Sequence, residues 1–439
     1  MKYDTRQFYK YVIPSMLVMF VAGLYSIVDG IFVGQATGSV GLAACAVTWP
    51  LFCVIFGTAD LIGVGASILI AQNQGARKPR RANIAFSQMV GLAVLASLLI
   101  PLVFIPLMHP VLEFCGSSPD LIDLSYSYMT IVLAGSFTTI LWGALAAAMR
   151  NDRQPIRAMW LSCLGVLANI LFDYLVVMVF RWGLPGAAWA TIVAELFPLL
   201  AAVMYFRSSK THLTFYWRYV IPVWHWTWKI LKYGTPSLGG SLAVSAMLLF
   251  HNWQAAAYGG GAAGLAIYAV IATAESLVSM VMQGVAGGVQ PLASYIHGTG
   301  DHRRNMRIAH LGIVFSLVLG GVGVIFSVSM CTTLPTLMGL TGQTAKLATH
   351  GLLLSAPAFL VLGLVRFGCS FFQSTDKIAA ANVLTYGDYC VVLPACLFLL
   401  PLWLNLDGVW LAMPVSRFIL TALLCFFWWR YYGRRRSWK

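Results

Sequence analysis

Long apolar runs alternate with short polar joints along the whole chain. A helix that crosses a bilayer needs about 20 mostly apolar residues. Breaking the sequence at turn residues and charge clusters predicts twelve such helices, at 9–33, 42–72, 83–108, 121–148, 156–180, 186–206, 229–256, 263–296, 305–330, 345–372, 378–401 and 407–430. Several exceed the length of a straight crossing, so tilted or kinked spans are expected. The first run is too long for the apolar region of a signal peptide and lacks a clean small-residue cleavage site, so it is read as a span. The predicted fold is an all-α integral membrane protein.

Composition agrees with that pattern. Of the 439 residues, 59% are hydrophobic and only 10% charged, and the mean hydropathy is +0.80. A soluble domain carries roughly 25% charged residues. The nine cysteines lie mostly within apolar runs and show no zinc spacing, which fits small buried hydrophobes. A net charge of +14 would suggest nucleic acid in a soluble chain. Here the cations sit in the joints, so they are topology signals and no nucleic-acid partner is expected.

With the N-terminus inside, 24 of the 28 Lys and Arg fall in inner segments. Among them are Lys2, the cluster Lys78, Arg80 and Arg81, and the C-terminal Arg434, Arg435, Arg436 and Lys439. Arg181 and Lys346 fall outside, and Arg366 and Arg417 lie within spans. This asymmetry predicts a multi-pass protein of the cytoplasmic (inner or plasma) membrane with both termini cytoplasmic.

The sequence also repeats itself. Lys10-Tyr11-x-x-Pro14-Ser15 returns as Lys232-Tyr233-x-x-Pro236-Ser237, and Gly41-Leu42-Ala43 as Gly264-Leu265-Ala266. Gly75 with Arg80-Arg81 returns as Gly298 with Arg303-Arg304, and Gly186 with Ala190 as Gly408 with Ala412. The offset stays at 222 or 223 residues, which argues duplication. Six spans per copy is an even number, so the copies share one orientation. The expected organisation is an N-lobe at 1–206, a basic, Trp-rich linker at 207–228 along the inner surface, and a C-lobe at 229–439. Two parallel six-helix lobes around a central cavity suit transport by alternating access.

Ionisable residues inside a membrane are costly and are functional candidates by default. Six acids lie well within spans: Asp29, Asp60, Asp173, Glu195, Glu275 and Asp388. Asp29, Asp173, Asn169 and Thr191 fall at one level, roughly 6–10 Å below the outer surface at 1.5 Å per residue. Asn169 shares a helix face with Asp173. Two carboxylates, an amide and a hydroxyl can cage a proton or Na⁺, because crowded acids resist being ionised together. The alternative is two acids that separately bond backbone or face water near the mouth. Pro14 removes a helix hydrogen bond and predicts a kink in the first span. The repeat partner of Asp29 is His251, read as a hydrogen-bonded helix residue, and that of Asp173 is Ala395 or Cys396. The cation site therefore belongs to one lobe. Glu275 and Asp388 are candidate contacts for a cationic substrate, or else pair internally. Glu195 and Arg417 are repeat equivalents of opposite sign that could form a salt bridge, and Arg366 is read as snorkelling to the inner surface. No metal-binding spacing is present.

These residues together resemble the multidrug and toxic compound extrusion (MATE) family over 9–430. The marks are Val28-Asp29-Gly-Ile-Phe-Val-Gly34-Gln35, Arg150-Asn-Asp-Arg-Gln-Pro155, Asn169-Ile-Leu-Phe-Asp173, Gly183-Leu-Pro-Gly186-Ala-Ala-Trp-Ala-Thr191 and Gln290-Pro291. Pro14 precedes Asp29 by fifteen residues, as the family's first-helix proline precedes its acid. The resemblance implies that Asp29, Asn169, Asp173 and Thr191 form the cation site, and that H⁺ or Na⁺ antiport drives export of amphipathic, cationic small molecules or drugs. The acid that some members carry on the seventh span is absent, with Val244 or a neighbour in that region, which favours H⁺ over Na⁺. The expected protein is a monomeric xenobiotic transporter in the lipid bilayer, with no cofactor beyond the coupling ion. One rival is a lipid or lipid-linked saccharide flippase, which would need a cavity rich in arginine and lysine. The other is an intramembrane enzyme, which would need a cluster of nucleophile, base or metal ligands.

Overall fold

The computed structural model describes residues 2–433, without the side chains of Lys2, Tyr3, Ile27, Ser39 and Ala262. The cations Arg434, Arg435, Arg436 and Lys439, and the side chain of Lys2, lie outside the described residues. Every regular element among the described residues is helical.

Helices α1 (Asp4–Gly38) and α2 (Val40–Gly75) follow directly on one another. Gly38 divides them with φ at 67°, a left-handed conformation that glycine adopts without steric cost. The backbone keeps helical dihedrals through Pro14, so the break in this stretch falls at Gly38 and not at the proline. Then come α3 (Pro79–Phe104), α4 (Pro119–Ala134), α5 (Ser136–Asn151), α6 (Pro155–Asp173) and α7 (Gly183–Arg207). The second half holds α8 (Trp224–Tyr258), α9 (Ala262–Thr299), α10 (His302–Met330), α11 (Gly342–Ser355), α12 (Pro357–Ser374), α13 (Ile378–Gly387), α14 (Leu393–Leu399) and α15 (Pro401–Tyr432). Proline opens α3, α4, α6, α12 and α15, where its missing N–H costs nothing.

Ten helices among the described residues are long and apolar enough to cross a membrane, eleven when α4 and α5 count as one span. That fourth span is not continuous as expected: it bends by 44° at Gly135. The expected seventh span is α8, which is 35 residues long but falls short on apolarity. Thr235, Ser237, Ser241 and Ser245 run through its middle, with Gly234, Gly239 and Gly240.

The duplication is visible in the backbone as well as in the motifs. Left-handed residues recur in pairs: Gly38 with Gly261, Arg77 with Gly300, Gly116 with Gly339, Arg153 with Asp376, and Gly183 with Asn405. Each pair keeps the 222–223 offset, although in three of the five the residue type has changed. Chain geometry has outlasted sequence identity.

Two compact units emerge. One comprises Leu17–Leu242 with Ser294–His302. The other comprises Met1–Met16, Ala243–Ala293 and Arg303–Lys439. In the first, close helix approach depends on glycine. A Cβ on Gly65 would overlap the Ile230 carbonyl, and one on Gly234 the Leu61 carbonyl. The repeat-equivalent Gly75 and Gly298 pack directly together. Small residues at such crossings let backbones meet where lipid offers no hydrophobic drive. In the second unit Gly284 and Gly288 meet Met16 and Val12, and Arg304 Nε bonds Asp4 Oδ1 at 2.6 Å.

Candidate functional site

In the first unit the π-helical turn Tyr174–Val179 follows α6 and begins directly after Asp173. Such a widened turn re-aims the side chains beside it and is frequent at functional sites. Asp173 is 1% exposed, and neither of its carboxylate oxygens has a hydrogen-bond partner. Asn169, one turn earlier and also buried, has an unpartnered side-chain nitrogen. Asp29 of α1 lies within electrostatic reach of Asp173. Thr191 of α7 donates to the Ala187 carbonyl at 3.1 Å, and the Tyr25 hydroxyl reaches its side chain.

The four expected residues thus come from α1, α6 and α7. Their two acids sense each other, and Thr191 is linked to Asp29 through Tyr25 one turn before it. Three further residues belong to the cluster. Tyr25 feels both acids, as does Tyr128 of α4, whose side chain contacts Cys45 of α2. Tyr25 was findable, since it precedes Asp29 by four residues on one helix face. Tyr128 and Cys45 carry no sequence signal and arrive only by packing.

An ionised carboxylate without a partner is expensive to bury, by several kcal/mol even after relaxation. A bound proton removes that cost by neutralising the group. Among the described residues no group of three or more His, Cys, Asp or Glu could hold a metal ion.

The other two acids predicted within spans of this unit are engaged. Glu195 accepts hydrogen bonds from Thr138 at 2.7 Å and Thr139 at 2.6 Å. Asp60 accepts one from Ser241 at 3.3 Å and feels Arg150.

In the second unit a buried polar network surrounds Arg417, which is 2% exposed. Arg417 pairs with Asp388, which also accepts from Ser416 at 2.9 Å. Arg417 thus has its partner within its own unit, and Glu195 has Thr138 and Thr139 within the other. Arg417 also lies over the Tyr389 ring, 5.2 Å from its centroid. Arg366 donates to the Tyr389 hydroxyl at 3.1 Å, which corrects the snorkelling expectation: Tyr389 and the charge of Glu275 give it partners inside. Glu275 is buried with one oxygen unpartnered. Asp388, by contrast, is paired internally. It opens a π-helical turn of its own, Asp388–Val392, so each half carries an aspartate at a π-helical turn in its equivalent span. His251 is held by the Met247 carbonyl at 3.0 Å and stacks on Tyr268 at 4.9 Å.

A duplicated all-helical membrane bundle with acids buried inside its halves defines the architecture of a secondary transporter. Comparison with known proteins makes the assignment specific. The family model described as MatE matches twice, over residues 14–175 and 236–397, copies 222 residues apart. The chain belongs to the MatE family, whose members are transporters and not enzymes. It is 23% identical over 422 residues to the multidrug export protein MepA of Staphylococcus haemolyticus, covering 94% of this chain and 91% of that protein. MepA of Staphylococcus aureus is likewise 23% identical over 424 residues, with the same coverage. In fold, the chain resembles an outward-facing multidrug resistance MATE transporter of the MOP superfamily, with a TM-score of 0.91, 22% identity, and 97% and 95% of the two chains covered. A MOP superfamily transporter from Pyrococcus furiosus gives a TM-score of 0.90 at 22% identity, with the same coverage.

Proposed function

We propose that this chain is a proton-coupled antiporter that exports amphipathic, cationic small molecules by alternating access of an N-lobe (1–206) and a C-lobe (229–439). The observation that carries this reading is the buried, unpartnered Asp173 carboxylate within electrostatic reach of Asp29. A proton arriving from outside neutralises one acid of the pair. Its loss to the inside restores a charge that the buried site stabilises poorly, and that difference favours one conformation over the other. The relatives are multidrug export proteins, which supports export of drug-like small molecules. Glu275, with an open oxygen, is the acid we assign to contact with cationic substrate; Asp388 is committed to Arg417. The protein works as a monomer in the cytoplasmic membrane with both termini inside.

The flippase alternative asks for free cationic surface within the spans. The two arginines there face Asp388, Glu275 and Tyr389 instead.

Efflux of a cationic dye from proteoliposomes tests the coupling ion. An imposed proton gradient drives transport, and a sodium gradient at fixed pH does not. Transport driven by sodium alone would overturn the proton assignment, and transport driven by neither would overturn antiport.

A further inference from the structure

The linker after α7 is fastened to α3 by side chains, not left in water. The Thr214 N–H donates to Asn83 Oδ1 at 3.1 Å and the Tyr216 N–H to Ser87 Oγ at 2.8 Å. Gln88 closes the strap with three bonds: its amide nitrogen donates to the carbonyls of Tyr219 at 2.5 Å and Ile221 at 2.9 Å, and its oxygen accepts from the Val223 N–H at 2.8 Å. A Cβ on Gly91 would overlap the Val220 carbonyl, so the strap lies directly on the helix there. The Asn83–Gly91 contacts climb α3 by about 12 Å at 1.5 Å per residue. The climb begins just past the exposed cations Lys78, Arg80 and Arg81. Irregular backbone is tolerated at membrane depth only when protein satisfies its polar groups. These bonds meet that requirement.

The outward face of the strap is apolar. Trp217 is 82% exposed, and Ile221 and Trp224 are each 76% exposed. Trp228 stacks on Trp224 at 6.1 Å, while Phe215 and Trp226 turn inward onto the core. Such a patch is costly in water and suits a membrane interface, where tryptophan concentrates. Charge adds a second requirement. Residues 205–232 include Arg207, Lys210, Arg218, Lys229 and Lys232 and no acid. Arg207, Lys210, Arg218 and Lys232 are all exposed.

We infer that the strap 214–228 is a lipid-binding element: Trp217, Ile221 and Trp224 enter the membrane interface, and the exposed cations Lys210 and Arg218 hold the phosphate of an anionic phospholipid. This inference is independent of the coupling ion and of the exported substrate.

Native mass spectrometry of the full-length protein, taken from membranes of phosphatidylcholine mixed with phosphatidylglycerol, tests it. Wild-type protein retains phosphatidylglycerol preferentially. Arg218→Gln lowers that preference by roughly fivefold, as expected for one cation near a charged surface, and adding Lys210→Gln lowers it further. Both side chains are exposed, so the variants should elute as the wild type does. A preference unchanged in the double variant, or matched by inorganic phosphate competing at equal concentration, would overturn the anionic-lipid assignment. A photoreactive phenylalanine at Trp217, activated in intact membranes, provides a readout that does not depend on the cations. A phospholipid adduct is expected. An adduct with a soluble protein, or none, would overturn membrane contact.

Discussion

Asp29→Asn and Asp173→Asn each reduce gradient-driven export to the level of empty vesicles, while the protein inserts into the membrane in wild-type amounts. Asparagine matches aspartate in size but cannot gain or lose a proton. At Asp173 the change also removes a buried carboxylate that no neighbouring group stabilises. Burying an unpaired ionised group costs several kcal/mol, so Asp173→Asn should leave thermal stability unchanged or raise it. A variant that is inactive and no less stable is the signature of a charge kept for function at the expense of stability. If the two acids share one proton as proposed, the double variant should be no worse than either single one. Export by either variant at the wild-type rate would remove that residue from coupling.

Asp388→Ala has the largest expected effect on stability. It removes the ion-pair partner of the buried Arg417 guanidinium and leaves it the charge of Glu275 alone, a loss of up to about 3–5 kcal/mol. Arginine cannot shed its proton to escape that cost. The reverse variant, Arg417→Met, should cost less, because Asp388 keeps the Ser416 hydrogen bond and can take up a proton. Combining both substitutions should recover most of the loss. Denaturant unfolding in mixed micelles across the four proteins measures this cycle. Equal losses from the two single variants, or additive losses in the double one, would show that the pair is not coupled.

Much of this architecture could be read from residue pattern. Apolar length marked the spans, of which ten or eleven are long and apolar enough among the described residues, and the 222–223 offset of the duplication recurs in the left-handed backbone pairs. The proximity of Asp29 to Asp173, expected from helix rise and span ends, appears in the structure as electrostatic reach between the two. What pattern could not supply was packing. The bend at Gly135 and the π turn after Asp173 are local departures from helix that no periodicity signals. Tyr128 and Cys45 join the site from helices whose facing surfaces sequence does not specify. Arg366 was misread because a long cation in a span can either reach the surface or find a partner. Only the neighbouring Tyr389 and Glu275 decide between these. The strap looked like an ordinary surface linker for the same reason. Asn83, Ser87 and Gln88 are unremarkable polar residues until the chain that they hold is seen beside them.

The central claim is that Asp29 and Asp173 hold one proton jointly. Infrared difference spectra of the membrane-reconstituted protein, recorded between acidic and alkaline buffer, address it directly. The account predicts a carboxylic-acid carbonyl band that titrates in the wild type, disappears in Asp173→Asn, and titrates at a different pH in Asp29→Asn. A band that survives both substitutions unchanged, or two bands that each vanish with one substitution and leave the other unaffected, would contradict it.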